Sequence, residues 1–330
     1  MSIKRIYDTI TDTKPVEKGW SEDKKFCVTT TDGTKYLLRI SPIARYETRK
    51  SLFAMLEQVA ALGIPMCQPV EFGTCGDGVY SIQSWIEGED LEAVLPSLPE
   101  AEQYAMGVKA GGILRKTHNI FVPDIQSERP DWAESFDHST DERIQRYHNC
   151  GARFNGDVNV LAYLNENRHL VENRPRCFQH GDYCVRNMMI YNGEITIIDF
   201  ERLYFGDPWE DFVFVMLDAP KYPYFSTGQM RGYFNGEPPV EFFKTYALYV
   251  LSSLLPGYYD AAALWDGETD KMTKQTQEII AWFSDLSNPV PAWYLHNFVG
   301  DAVLSVPPNQ TLTLCHGRPR AVVPTTLYQS

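Results

Sequence analysis

The 330-residue sequence lacks the marks of several protein classes. Its cysteines, at 27, 67, 75, 150, 177, 184 and 315, form no Cys-x-x-Cys pair and are odd in number. Neither a disulfide framework nor a cysteine-built zinc module is therefore expected, and free thiols in a reducing compartment are. No apolar run approaches the ~18 residues of a membrane span. The opening Met-Ser-Ile-Lys-Arg-Ile-Tyr-Asp has no apolar leader core. Basic side chains are in deficit, 30 Lys and Arg against 43 Asp and Glu, for a net charge of -13. A protein that works by neutralising nucleic-acid phosphates has the opposite balance. Repeats, low-complexity blocks and a GxGxxG phosphate loop are also missing. These absences point to a cytoplasmic chain that binds neither nucleic acid nor membrane, with an acidity suited to cationic or metal-associated ligands.

What is present is globular. The chain is 44% hydrophobic and 22% charged, with 19 Tyr, 17 Phe and 7 Trp to build a large core. Its length is about twice that of a ~150-residue domain, so two lobes are expected. Residues 24–30 and 35–40 read as strands around Asp32-Gly33, a pair suited to a two-residue type I′ turn. Residues 46–62 follow with a helical apolar face and stop at Gly63, and 70–72 and 79–85 read as further strands. After residue 86 helical periodicity takes over, at 102–118, 157–172, 209–217, 239–255 and 275–286, with 121–138 read as mostly loop. The expected division is a small strand-rich lobe over 1–86, a larger helical lobe over 87–296, and an extended tail over 297–330. That tail carries only Asp301, Arg318 and Arg320 as charges and four prolines.

The chemistry concentrates in His180-Gly181-Asp182-Tyr183-Cys184-Val185-Arg186-Asn187, where a carboxylate precedes an amide by five residues. A second carboxylate, Asp199, follows Asn187 by twelve residues, and between them Asn192-Gly193 is a strong two-residue hairpin turn. Such a turn pairs Tyr191 with Glu194 and Asn187 with Ile198, and so brings Asp199 beside Asn187. An amide oxygen and a carboxylate held together suit a hard cation such as Mg²⁺. Asp182 is then left to act on a substrate hydroxyl. This is the logic of a kinase catalytic loop. His180 reads as a structural hydrogen-bonding residue rather than a base.

In these features the sequence resembles the aminoglycoside phosphotransferase and choline kinase-like family of small-molecule kinases. The motifs are His180-Gly181-Asp182 with Asn187, Ile197-Ile198-Asp199-Phe200-Glu201, Gly206-Asp207-Pro208-Trp209-Glu210-Asp211, and the helix end Leu114-Arg115-Lys116-Thr117-His118. The resemblance covers about residues 15–294. It implies an α+β, bilobal protein-kinase-like fold, with a small antiparallel sheet lobe and a larger, mainly helical lobe. It also implies Asp182 as catalytic base, Asn187 and Asp199 as Mg²⁺ ligands, and a bracing role for the Gly206-Asp207-Pro208 turn.

The first hairpin adds a nucleotide surface. In the two-residue register Val28 opposes Leu37 and Phe26 opposes Arg39, so Val28, Leu37 and Arg39 line one face. Two apolar side chains and a cation there suit a purine with phosphates beyond it. The family usually has Lys where Arg39 stands, and the change turns a point donor into a fork. The usual helix glutamate partner falls near Leu52, with Glu47 and Glu57 displaced from that place. Ser21, in Lys18-Gly19-Trp20-Ser21, is placed to donate to phosphate, and Ser84-Trp85-Ile86 is the expected hinge, where backbone groups at Ser84 and Ile86 meet the base. Glu210 and Asp211, among acids dense after Asp199 (Glu201, Asp207 and Asp218 are the others), are candidates for a cationic substrate. The expected reaction is transfer of the γ-phosphoryl of ATP or GTP to a hydroxyl of a cationic small molecule. An aminoglycoside-type antibiotic leads, which would confer resistance; choline-like, sugar or homoserine-like metabolites stay open. The rival is a nucleotide-binding pseudokinase without turnover.

Overall fold

The computed structural model describes residues 5–17, 23–120, 131–202, 204–264, 269–284, 286–296 and 298. The chain divides into two compact units, each assembled from separate stretches. The first holds Met1–Ser97, Ile113–Ile120 and Phe178–Phe205, and the second holds Leu98–Gly112, Phe121–Cys177 and Gly206–Ser330. Among the described residues no helix is long and apolar enough to cross a membrane. The cysteines at 27, 67, 75, 150, 177 and 184 are free thiols.

The first unit is built on β1 (Ile10–Pro15), β2 (Lys24–Thr30), β3 (Lys35–Pro42), α1 (Tyr46–Ala61), β4 (Pro69–Cys75) and β5 (Gly78–Ser84). The strands form an antiparallel sheet in the order β1-β2-β3-β5-β4. Val28, Leu38, Tyr80 and Ile82 make the core of one sheet face, with Phe26, Tyr36 and Ile40 packed on them. α1 buries Leu52, Phe53, Met55, Leu56 and Val59, the stripe expected of its 3.6-residue period. Its Phe53 ring meets Phe72 of β4 at 5.5 Å.

The register of β2 against β3 corrects the sequence reading. Cys27 opposes Leu37, Lys25 opposes Arg39 and Val28 opposes Tyr36. The loop has three residues, closed by the Thr30 N–H donating to the Thr34 carbonyl at 3.0 Å. Asp32 Oδ1 accepts from Thr30 Oγ1 at 2.6 Å and from the Thr34 N–H at 3.0 Å, and Gly33 takes φ +84°. An aspartate that ties both strand ends, followed by a left-handed glycine, favours the longer loop. A one-residue slip moves every side chain to the other face.

β6 (Glu89–Asp90) is followed by α2 (Leu91–Val94) and α3 (Glu100–His118). Later come β7 (Cys177–Gln179), β8 (Met188–Tyr191), β9 (Glu194–Ile197) and β10 (Tyr204–Gly206). β6, β8 and β9 form a second sheet in the order β6-β8-β9. Here the expected register is observed: Tyr191 opposes Glu194, with Asn192 at φ +52° and Gly193 at φ +77° as a type I′ turn requires.

The second unit is helical: α4 (Trp132–Cys150), α5 (Asp157–Glu166), α6 (Val215–Asp218), α7 (Pro223–Phe234), α8 (Val240–Leu264) and α9 (Thr269–Trp282). α8 buries Phe242, Tyr246, Tyr249 and Tyr258 among others and forms its centre. α4 begins inside the segment read as loop. Asp131 caps it by accepting from the Trp132 N–H at 2.7 Å, and its buried stripe is sparse: Trp132, Phe136, Thr140 and Tyr147 in an otherwise polar helix. α7 carries Gly228 and Gly232, residues of low helix propensity. Their reason lies in packing against α3. A Cβ on Gly107 or Gly111 would lie 2.0 Å from the Phe225 or Gln229 carbonyl oxygen. One on Gly228 or Gly232 would lie 2.2 or 2.1 Å from that of Tyr104 or Val108. The two helix backbones touch through four glycines.

Candidate active site

The segment from His180 to Glu201 belongs to the same unit as the five-stranded sheet. His180 is buried, and its ring fixes the loop at two points. Nδ1 accepts from the Asp182 N–H at 3.2 Å and Nε2 donates to the Ile198 carbonyl at 3.0 Å. Both ring nitrogens are thereby used, as a structural role requires. The Asn187 amide nitrogen donates to the Asp182 carbonyl at 2.8 Å, which leaves the amide oxygen as its acceptor end. The Ile198 N–H donates to the Asn187 carbonyl at 3.0 Å. Beyond that bond the ladder ends, and Asp199 turns into the left-handed region at φ +69°. A non-glycine residue there is uncommon, and the turn takes Asp199 out of the alternation of the strand.

Asp182 Oδ1 accepts from Arg186 Nη2 at 2.8 Å, a link one helical turn along the loop that sequence reasoning passed over. Asp182 is half-buried, so its carboxylate is both held and accessible.

On the sheet, Lys25 and Arg39 stand side by side as opposed residues. Two like charges there are unfavourable unless anions intervene, and Glu201 and Asp199 do. Lys25 Nζ lies 2.9 Å from Glu201 Oε1 and 3.9 Å from Asp199 Oδ1. Arg39 pairs with Glu201 Oε1 through Nη1 and donates to Asp199 Oδ1 through Nη2 at 3.3 Å. Burial disfavours a charged Arg39, but Glu201, Asp199 and Asp23 more than offset it and hold its guanidinium above the ordinary arginine value. The two carboxyls divide their titration. Burial and the neighbouring Glu201 push Asp199 up. Glu201 is held well below the usual range: its burial is outweighed by its hydrogen bond to Asp199 and by Arg39 and Lys25.

The other site candidates fall in different places. Leu37 shares the Arg39 face, together with Cys27. Val28 does not: it lies on the opposite face, fully buried against Leu38, because of the register slip. Cys27 stands across from Leu37, where the two-residue register expects Val28. Ser84 ends β5, its hydroxyl accepting from the Gln68 N–H at 2.8 Å, and Ile86 follows it. Next, Gly88 passes so close to β8 that a Cβ would sit 2.6 Å from the Ile190 carbonyl oxygen. Ser21 lies outside the described residues, as does the tail apart from Phe298. The Phe298 carbonyl accepts from Arg231 at 2.6 Å.

Glu210 and Asp211 open a 3-10 turn of the second unit, with Asp211 buried. Asp207 before them is fully buried and engaged: Arg174 binds both its oxygens at 2.8 and 2.9 Å, and Tyr249 donates to it at 2.7 Å. Of the acids after Asp199, Glu201 and Asp207 are therefore committed to ion pairs within the fold.

Among the described residues of α1, no glutamate meets Arg39. Glu47 and Glu57 are exposed. The side chain that α1 brings to Arg39 is another cation, Arg49, which bonds Asp23, Ser41 Oγ at 3.0 Å and the Glu201 carbonyl at 3.2 Å.

A family model described as the phosphotransferase enzyme family matches residues 12–243. No curated protein is significantly similar in sequence. Among solved structures, the chain is similar to the amicoumacin kinase hAmiN in complex with AMP-PNP, Ca²⁺ and Ami, at 17% identity and TM-score 0.59, covering 84% of this chain and 90% of that one. A choline/ethanolamine kinase family protein from Mesorhizobium loti gives 16% identity and TM-score 0.59, covering 86% and 92%. The gentamicin-APH(2")-IIa complex gives 17% and 0.56, covering 82% and 91%. At such identities the likeness is one of fold, and the fold is α+β and protein-kinase-like.

Proposed function

The chain belongs to the phosphotransferase enzyme family, and from that premise we propose that it transfers the γ-phosphoryl group of ATP or GTP to a hydroxyl of a small cationic molecule, with aminoglycoside-type antibiotics as the leading acceptor class. The observation that carries this reading is the joining of Asp182, Asn187 and Asp199 around one hairpin, through the Asn187–Asp182 and Ile198–Asn187 hydrogen bonds. The structures sharing the fold include a kinase with AMP-PNP and a gentamicin complex, which supports a nucleotide donor and an antibiotic acceptor.

The donor set fits Mg²⁺. Asn187 and Asp199 offer oxygens only, and among the described residues no larger His, Cys, Asp and Glu cluster gathers as for a metal held by protein alone. Mg²⁺ is commonly held by one or two protein oxygens plus substrate phosphates and water. When bound, it supplies charge neutralisation to the phosphates. Lys25 and Arg39 offer two cations to the same chain of phosphates, and the surface of Leu37 and Cys27 offers the base an apolar seat. Asp182, steadied by Arg186, accepts or orients the hydroxyl proton through its other oxygen. The half-buried position of Asp182 leaves that oxygen within reach of an acceptor.

A non-catalytic nucleotide binder is the second reading, favoured by the engagement of Arg39 with Asp199 and by the missing helix carboxylate. Turnover separates the two. The protein is incubated with Mg²⁺, ATP or GTP and a panel of aminoglycosides, choline-like amines, homoserine-like compounds and sugars, and phosphorylated products are sought by mass spectrometry. A phosphorylated amine is the expected result. Nucleotide binding with no product across the panel would favour the second reading.

A further inference from the structure

Arg39 is buried beside a half-buried second arginine, Arg49, and the side chain between them is Asp23. The Asp23 side chain has 0% exposure. Its Oδ2 bonds Arg49 Nη2 and lies 3.6 Å from Arg39 Nη1, while Oδ1 lies 3.9 Å from Arg45. Two guanidinium groups this close are tolerable in a buried setting only with an anion between them. Asp23 stands at the head of β2, Arg39 on β3 and Arg49 on α1, so one carboxylate joins three elements of the same unit.

We infer that Asp23 is the positioning residue for the phosphate-binding cation, holding Arg39 to α1 through an Arg39–Asp23–Arg49 relay in which the helix supplies a cation instead of a carboxylate. The inference rests on the proposed role of Arg39 toward nucleotide. Its physical content is a competition. Glu201 and Asp199 draw Arg39 from one side, and Asp199 is also the proposed metal ligand. When a metal-bound nucleotide arrives, Asp199 must serve the metal, and Arg39 needs an anchor with no second duty. Asp23 is that anchor. Without it Arg39 is drawn further onto Asp199 and Glu201, and both phosphate and metal lose a partner.

The test is a double-variant cycle on nucleotide affinity, which needs no known acceptor. Titration calorimetry measures the Kd of a non-hydrolysable ATP or GTP analogue with Mg²⁺ for the full chain and for Asp23→Asn, Arg39→Gln and both together, with thermal melts recorded for each. The expected result is that each single change weakens binding roughly 10-fold or more, the scale of one charge-assisted hydrogen bond. In the double variant the second change should add less than about 3-fold, because both act on one cation. Losses that multiply in the double variant would overturn the inference, since Asp23 would then act independently of Arg39. Wild-type affinity in Asp23→Asn would overturn it as well. Wild-type affinity in Arg39→Gln would instead remove the phosphate role of Arg39, and this inference with it. If Asp23→Asn does not fold, Arg49→Gln replaces it in the same cycle, with the same outcomes.

Discussion

The guanidinium of Arg39 donates to the carboxylate of Asp199 at 3.3 Å, across 160 residues of sequence. The proposed phosphate cation and the proposed metal ligand are thus each other's partners. Ligand binding must exchange this pair for two new ones, and that exchange frames the predictions for the two acids of the site.

Asp182→Asn should depress kcat by about 10²–10⁴, the usual contribution of a positioned proton acceptor, and leave nucleotide affinity close to wild type. Steady-state kinetics on an identified acceptor, with calorimetry for the nucleotide, checks both halves. A near-normal kcat would show that Asp182 is not the base.

Asp199→Ala should weaken nucleotide binding and turnover together, and the wild-type protein treated with EDTA should show the same double loss. The comparison is of Kd for an ATP or GTP analogue with and without Mg²⁺. In the variant, affinity should no longer respond to Mg²⁺. An undiminished Mg²⁺ response would place the metal elsewhere.

Gly111 and Gly112 are neighbours on α3 with opposite expectations. A Cβ at 111 would sit 2.0 Å from the Gln229 carbonyl oxygen, whereas one at 112 has nothing within 4 Å. Gly111→Ala should destabilise by about 1–3 kcal/mol, the cost of overpacking. Gly112→Ala should stabilise by up to about 1 kcal/mol through helix propensity. Chemical denaturation of the two variants reads this directly, and equal effects would refute the backbone contact between α3 and α7.

The acceptor's KM should rise with ionic strength while kcat changes less, because attraction to a chain of net charge -13 is screened beyond ~10 Å at about 0.1 M salt. Glu201 and Asp207 are held in ion pairs and Asp211 and Asp218 are buried, so the attraction is the long-range one of the net charge rather than contact with one of these acids. A salt-independent KM, or a preference for a neutral acceptor in competition, would remove the cationic substrate and leave phosphoryl transfer standing.

The two hairpins show how far local chemistry carries. At Asn192-Gly193 both turn residues adopt positive φ, as their types favour, and the register that places Asn187 beside Ile198 follows from the turn alone. At Asp32-Gly33 the same kind of dipeptide gives a three-residue loop, because Thr30 and Thr34 both bond the Asp32 carboxylate. That single difference moves Val28 into the core and brings Cys27 and Lys25 to the Arg39 face. α4 was hidden for another reason: its buried stripe is a few aromatics in a polar helix, and its Trp132 is held by Tyr249 of α8 at 2.8 Å, a contact no local period announces.

The sequence by itself determined the family, the spacing of Asp182, Asn187 and Asp199, and the turn that joins them, since residues linked by a short chain have few ways to meet. Only the tertiary structure decided what surrounds Arg39. Asp23, Arg49 and the Asp199–Glu201 segment come from three separate stretches of the chain, and the charge that a buried cation tolerates beside it depends on which groups the fold has carried there, not on their distance along the chain.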